Sequence, residues 1–107
     1  MDVTFEVPGS EPLSIDEERG AFLAEALRLR ANGEFGKIAE PDTIRALADR
    51  IDACATGKAT TPVKLERDIE RDTMLAILNV AAMGDTDRPL RALHRAVRAW
   101  WSETKLP

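Results

Sequence analysis

Few side chains in this sequence are suited to acid–base, nucleophilic or metal chemistry. The 107 residues include one histidine, His94, one cysteine, Cys54, and no tyrosine. Catalysis by His94 needs a second positioned group, but its neighbours are arginines, whose charge disfavours a protonated imidazole. Cys54 lies near the end of a predicted helix, where the negative end of the helix dipole disfavours a reactive thiolate. We therefore expect no catalytic residue.

Residues 66–72 repeat glutamate, arginine and aspartate every four positions. Carboxylates of a helical bundle can bind metal ions, but the Glu-x-x-His pairs of di-iron bundles are missing. Opposite charges three residues apart, Arg67 with Glu70 and Asp68 with Arg71, offset the repulsion between like charges. We predict a solvated charged face without a metal site. Phosphate-binding loops and nucleophile elbows are also missing, so we expect neither a cofactor nor an enzyme activity.

The clearest surface signal is a series of arginines near the C-terminal end. They recur at spacings of three and four, which places them on one helix face: Arg88, Arg91, Arg95 and Arg98. Residues 88–107 hold five bases and one acid, a net charge of +4, whereas residues 1–53 hold six bases and twelve acids, a net charge of -6. The overall charge of -4 therefore conceals a separation of charge along the chain.

We interpret the arginine face as a binding surface for an acidic protein. One such partner is a second copy of this chain, whose N-terminal half is acidic. The alternative is a nucleic-acid-binding regulator, because guanidinium groups bind phosphate and release counterions. The acidic balance of the whole chain argues against that alternative. A third hypothesis is an accessory subunit of a larger enzyme.

Two adjacent tryptophans, Trp100 and Trp101, follow the arginines. Neighbouring helix residues point about 100° apart, so the two rings flank the apolar stripe that contains Leu93 and Val97. We expect both rings to close the end of a helical bundle, whereas an exposed one would be an anchor for a partner. The candidate partner-binding face consists of Arg88, Arg91, Arg95, Arg98, Trp100 and Trp101.

Helices should position this face, because alanine, leucine, arginine and glutamate dominate the sequence. Apolar spacing and end signals predict four helices, at about 15–31, 42–56, 62–83 and 88–104. The end signals are a Ser14/Glu17 capping box, Asn32-Gly33, Gly57, Thr61-Pro62 and Asp87.

Residues 1–13 form a predicted strand or extended arm, because Val3, Phe5 and Val7 alternate with polar residues and no second strand is apparent. We therefore expect an all-α fold, with residues 1–107 as one domain of two antiparallel helical hairpins. Alanines 92, 96 and 99 form a narrow seam that would allow a neighbouring helix to approach closely.

The composition also indicates a cellular setting. A single cysteine favours a reducing compartment, and the first residues lack the pattern of a secretory signal. The longest apolar stretch, 74–83, is too short to cross a bilayer. Abundant alanine and arginine suggest a GC-rich bacterial genome. We expect a bacterial, cytoplasmic, non-enzymatic interaction or regulatory module that forms a homodimer and does not bind membranes.

Overall fold

The computed structural model of the chain describes residues 1–81 and 88–105. Its elements, in chain order, are strands β1 (Val3–Glu6) and β2 (Leu13–Ile15), helices α1 (Glu17–Ala31) and α2 (Pro41–Ala55), strand β3 (Val63–Lys64), and helices α3 (Asp68–Ala81) and α4 (Arg88–Lys105). Helix α1 packs mainly on α2, and α3 packs mainly on α4. Within the described part of the chain, no helix has both the length and the apolarity needed to cross a membrane.

The three strands form a mixed sheet in the order β2-β1-β3. Strand β1 pairs antiparallel with β2, with Val3 opposite Ile15, and parallel with β3, with Phe5 opposite Val63. Val3 and Phe5 are buried, as their alternation predicts. The expectation of an all-α fold with an isolated N-terminal strand is therefore wrong, although most of the described residues are helical.

Pairing with β1 displaces two of the predicted helix starts. Ser14 lies in β2, so Asp16 caps α1 instead, and its Oδ1 accepts a hydrogen bond of 2.9 Å from the backbone N–H of Arg19. Pro62 precedes strand β3 rather than a helix, and α3 begins at Asp68. The physical reason is that the buried β1 backbone needs hydrogen-bond partners on both edges, and these two segments supply them.

The predicted glycine signals at the ends of α1 and α2 are confirmed. Gly33 and Gly57 have left-handed backbones, with φ of 85° and 79°. In each case the glycine and the residue after it donate backbone hydrogen bonds to carbonyls of the last helical turn, which is the Schellman arrangement. The predicted Asp87 cap and the predicted end of the third helix at residue 83 lie outside the described residues.

A single core joins the sheet to all four helices. Its fully enclosed side chains include Phe5, Leu23, Leu27, Ile44, Leu47, Ile51, Leu65, Met74, Leu78 and Leu93. Ile38 packs against this core from the loop between α1 and α2. Phe35 of the same loop is exposed, and the Arg30 guanidinium lies 4.9 Å from the centre of its ring. Val80 of α3 is also exposed.

Gly20 of helix α1 lies directly against the side chain of Val3 in the central strand. Gly20 is buried, and a Cβ atom at this position would lie 2.8 Å from Cγ2 of Val3. Only a residue without a side chain permits this approach without a shift of neighbouring atoms. Gly20 therefore sets how close α1 lies to Val3.

Replacing Gly20 with alanine is expected to lower the free energy of unfolding by about 1–3 kcal/mol, because the new methyl group overpacks the contact with Val3. At an unconstrained helical site the same change stabilises by about 0.5–1 kcal/mol. The sign of the change in the free energy of unfolding therefore shows whether Gly20 is in close contact with Val3. Urea denaturation measures it. Val3→Ala should reduce the cost of Gly20→Ala, and a Gly20→Ala protein more stable than wild type would refute the close approach.

Candidate protein-interaction surface

Helix α4 exposes its arginines on the side opposite its core contacts. Four exposed arginines, Arg88, Arg91, Arg95 and Arg98, form what we term the basic surface. Leu90, Leu93 and Val97 of the same helix are buried. Because core contacts hold one side of α4, the opposite side presents the guanidinium groups outward.

Arginines elsewhere in the chain are engaged by neighbouring groups. Arg28 joins α1 to α2 through Asp49 at 2.8 Å and Asp52 at 2.6 Å, and its hydrogen bonds with these carboxylates raise the pKa of the guanidinium. Carboxylates also contact Arg19, Arg45, Arg50, Arg67 and Arg71. Within residues 1–53 these ion pairs engage five acids: Asp16, Glu40, Asp42, Asp49 and Asp52.

Three arginines of the basic surface differ from these paired arginines. Within residues 1–81 and 88–105, no carboxylate lies at ion-pair distance from Arg88, Arg95 or Arg98. Three exposed cations on one helix therefore retain their capacity to bind an anionic group from outside the chain.

A buried cation holds α4 against α3. Arg71 of α3 is only 1% exposed, and its Nη1 donates hydrogen bonds of 2.9 Å to Oδ1 of Asp68 and to Oγ1 of Thr104 in α4. Its Nε donates to Oδ1 of Asp72 at 2.9 Å. The guanidinium also lies 5.8 Å from the centre of the Trp100 ring. One side chain thus connects both helices near the C-terminal end of α4.

The third guanidinium nitrogen of Arg71, Nη2, is buried and has no hydrogen-bond partner among the described residues. A buried unsatisfied donor costs free energy, so the desolvation of Arg71 offsets part of the stabilisation that its hydrogen bonds between α3 and α4 provide. Its neighbour Glu70 is also buried, and its carboxylate accepts from Nη2 of Arg50 at 2.7 Å and from the backbone N–H of Arg67 at 2.9 Å. The latter bond is the carboxylate half of a capping box.

The prediction of a solvated charged face over 66–72 is therefore wrong at Glu70 and Arg71, and it missed the residues that position α4. The signal was present, because Arg71 precedes Met74 and Leu78 by three and seven residues, the spacing of one helix face. Only the charge of Arg71 argued for exposure. The predicted pairing of Asp68 with Arg71 is confirmed.

His94 makes a second connection between these helices. Its Nε2 lies 2.7 Å from Oδ1 of Asn79 in α3. Because an amide oxygen only accepts hydrogen bonds, this geometry places a hydrogen on Nε2. Partial burial, and then the positive charge of Arg98, lower the pKa of His94. The expected unfavourable effect of the neighbouring arginines is therefore present, and the neutral ring serves as a structural contact at neutral pH.

The two tryptophans differ in environment. Trp100 is buried beside Arg71, whereas Trp101 is 39% exposed. The expectation that both rings close the end of the bundle is wrong for Trp101, because the core contacts of α4 use only the Trp100 side. Trp101 is therefore the tryptophan that a partner can reach, and it lies one turn after Arg98.

The alanine seam faces the turn between β1 and β2. An open groove of about 300 Å³ separates them, and we term it the alanine groove; its lining includes Ala92, Ala96, Ala99, Leu13 and Gly9. The seam thus lies beside a chain turn within this structure, not beside a helix. It borders the basic surface directly, since Arg95 also lines the groove.

The described residues contain no group of three or more histidine, cysteine, aspartate or glutamate side chains arranged to hold a metal ion. Cys54 is buried and unpaired, and its Sγ lies 3.2 Å from the carbonyl oxygen of Thr61, to which it donates a hydrogen bond. The thiol therefore helps fix the chain between α2 and β3.

No protein-family model matches the sequence, and neither a curated protein nor a solved structure shows significant similarity to it. Functional assignment therefore has to rest on the surfaces described above.

Two variants test the role of the buried cation. Arg71→Met replaces it with an apolar side chain of similar length and is expected to cost less than about 1.5 kcal/mol. Asp68→Asn together with Asp72→Asn leaves the buried guanidinium without a counter-charge, and we expect a loss of about 3 kcal/mol. Urea denaturation of both proteins gives the order. A greater loss for Arg71→Met would contradict the interpretation of Arg71 as a desolvated cation that depends on its carboxylates.

Proposed function

We propose that the protein is a non-enzymatic interaction module whose basic surface binds an acidic surface of a protein partner. The observation that carries this proposal is the contrast between three arginines of α4 and the ion-paired arginines of α1, α2 and α3. Arg88, Arg95 and Arg98 are exposed without a carboxylate partner among the described residues, while carboxylates engage arginines on α1, α2 and α3.

The surroundings of the basic surface favour a protein over a nucleic acid. The overall charge of -4 works against non-specific binding to a polyphosphate. The exposed indole of Trp101 and the small side chains of the alanine groove add apolar contact area beside the arginines. Aromatic and arginine side chains together are typical of protein interfaces. A bacterial, cytoplasmic setting is part of this proposal, and the composition and the single buried cysteine support it.

Poly-L-glutamate is a defined acidic probe for this surface. At low salt we expect wild-type protein to bind it, with a change in tryptophan fluorescence. Arg95→Gln/Arg98→Gln should weaken binding about tenfold, because two exposed charge pairs contribute roughly 0.5–1 kcal/mol each. The matched control, Lys37→Gln/Lys58→Gln, removes the same charge from exposed loop positions and should stay within about twofold of wild type.

Equal affinities of the two variants would refute a specific role for the basic surface. The same titration with random-sequence duplex DNA separates the alternative. Binding to the duplex that is tighter than binding to poly-L-glutamate, and that falls steeply with salt, would favour a nucleic-acid-binding regulator instead.

A further inference from the structure

We infer that the partner of the basic surface is a second copy of this chain, which docks the outer side of its α1 against the arginines and into the alanine groove. This inference rests on the proposed function, since it names the occupant of the same surface. It follows from the side chains that α1 leaves in solvent and from their match to α4.

The outer side of α1 carries acidic and large apolar residues in alternation. Four exposed side chains lie opposite the buried Leu23 and Leu27, and we term them the α1 stripe: Glu18, Phe22, Glu25 and Leu29. Phe22 is 48% exposed and Leu29 is 38% exposed. Two large apolar side chains therefore lie two turns apart on one exposed helix face, available for a partner to cover.

The acids of the α1 stripe are unpaired in the described structure. No arginine, lysine or histidine among residues 1–81 and 88–105 lies at ion-pair distance from Glu18 or Glu25. Other acids of α1 and α2, by contrast, are in contact with a cation, as Asp49 and Asp52 are with Arg28. The α1 stripe is thus an acidic counterpart to the basic surface of α4.

The two surfaces share one spacing. On α1, Glu18 and Glu25 are seven residues apart, and so are Phe22 and Leu29. On α4 the same interval of seven separates Arg88 from Arg95, Arg91 from Arg98, and Ala92 from Ala99. Seven residues correspond to two helical turns, or about 10.5 Å along either axis. Helix α1 of one copy can therefore place both acids near arginines while both large apolar side chains lie over alanines.

This match combines size with charge. Alanines let a neighbouring helix approach closely, and large side chains on the approaching helix fill the space that the alanines leave. The open alanine groove has a volume of about 300 Å³, which accommodates a phenyl ring such as that of Phe22. Arg95 lines the same groove, so a carboxylate one turn from the phenyl ring reaches a guanidinium.

The contact joins two different surfaces of the chain. It is therefore heterologous: in each contact one copy contributes its α1 stripe and the other its basic surface, so repeated contacts close into a ring or extend into a chain of copies. The acidic N-terminal half and the basic C-terminal helix then neutralise each other between copies rather than within one. Salt should weaken the association, because the charges are exposed before contact.

A charge-swap experiment tests this occupant. Sedimentation equilibrium at low salt should show wild-type masses that rise with concentration above the 11.8 kDa of one chain. Glu18→Arg/Glu25→Arg alone and Arg95→Glu/Arg98→Glu alone should each remain monomeric, because like charges then face each other. An equimolar mixture of the two variants should associate again, since the unchanged α1 stripe of one variant meets the unchanged basic surface of the other and the two reversed surfaces match as well.

Controls keep the outcome interpretable. Glu11→Arg/Glu34→Arg makes the same charge change at exposed positions outside α1 and should associate as wild type does. Circular dichroism and thermal melts of every variant establish that each is folded. Phe22→Ala removes an exposed apolar side chain of the α1 stripe and should weaken the association at least about threefold, because less apolar area is buried on contact.

Each other outcome overturns the inference. Association by either charge-reversed variant alone, or a mixture that stays monomeric, shows that the α1 stripe and the basic surface do not bind each other. If the wild-type protein is monomeric but still binds poly-L-glutamate through Arg95 and Arg98, the partner is not a second copy of the chain. The proposed function is then retained. A wild-type protein that binds neither itself nor poly-L-glutamate removes both.

Discussion

The buried guanidinium of Arg71 constrains the C-terminal half of the molecule. It contacts two carboxylates of α3 and the hydroxyl of Thr104 in α4, and it lies against the Trp100 ring. Desolvating a cation costs several kcal/mol unless nearby groups compensate it, so α4 is held where those groups are. With Arg71, Trp100 and Val97 inward, the helical repeat leaves Arg95 and Arg98 outward. The direction of the basic surface thus follows from the apolar core contacts of α4 together with the connection that Arg71 makes to Thr104 and Trp100.

The outer surface of α4 and the ends of α1 and α2 are predictable from sequence, because they depend on residues within two turns of each other. The arginine spacing and the glycines Gly33 and Gly57 are signals of this local kind. The sheet is not predictable in the same way. Segments 13–15 and 63–64 are only two or three residues long, and their sequences resemble helix starts. They are strands because each pairs with β1, a contact that the local sequence does not reveal. The burial of Arg71 was not predicted because arginine is rarely buried, although its spacing from Met74 and Leu78 places it on the core face of α3.

Charge pairing divides this chain into two parts. Acids and bases of α1, α2 and the start of α3 pair within the molecule and connect the elements, as Arg50 and Glu70 do. Among the charged groups without an ion pair in the described structure, two sets of opposite sign lie on helix faces: Glu18 and Glu25 of the α1 stripe, and Arg88, Arg95 and Arg98 of the basic surface. Acidic residues that pair with an arginine of another element thus connect the two elements. We propose that Glu18 and Glu25, which have no such pair in the described structure, bind a partner. In this account, the separation of charge along the sequence produces two complementary surfaces.

Paramagnetic relaxation between copies tests the central claim most directly. A nitroxide is attached at Ala21→Cys, on the edge of the α1 stripe, in a Cys54→Ala background without isotope labels. It is then mixed with unmodified protein labelled with ¹⁵N. We predict that amide signals of residues 92–99 broaden far more than those of α2, and that reducing the nitroxide restores them. Broadening confined to α2, or its absence at protein concentrations where association is measured, would contradict the account.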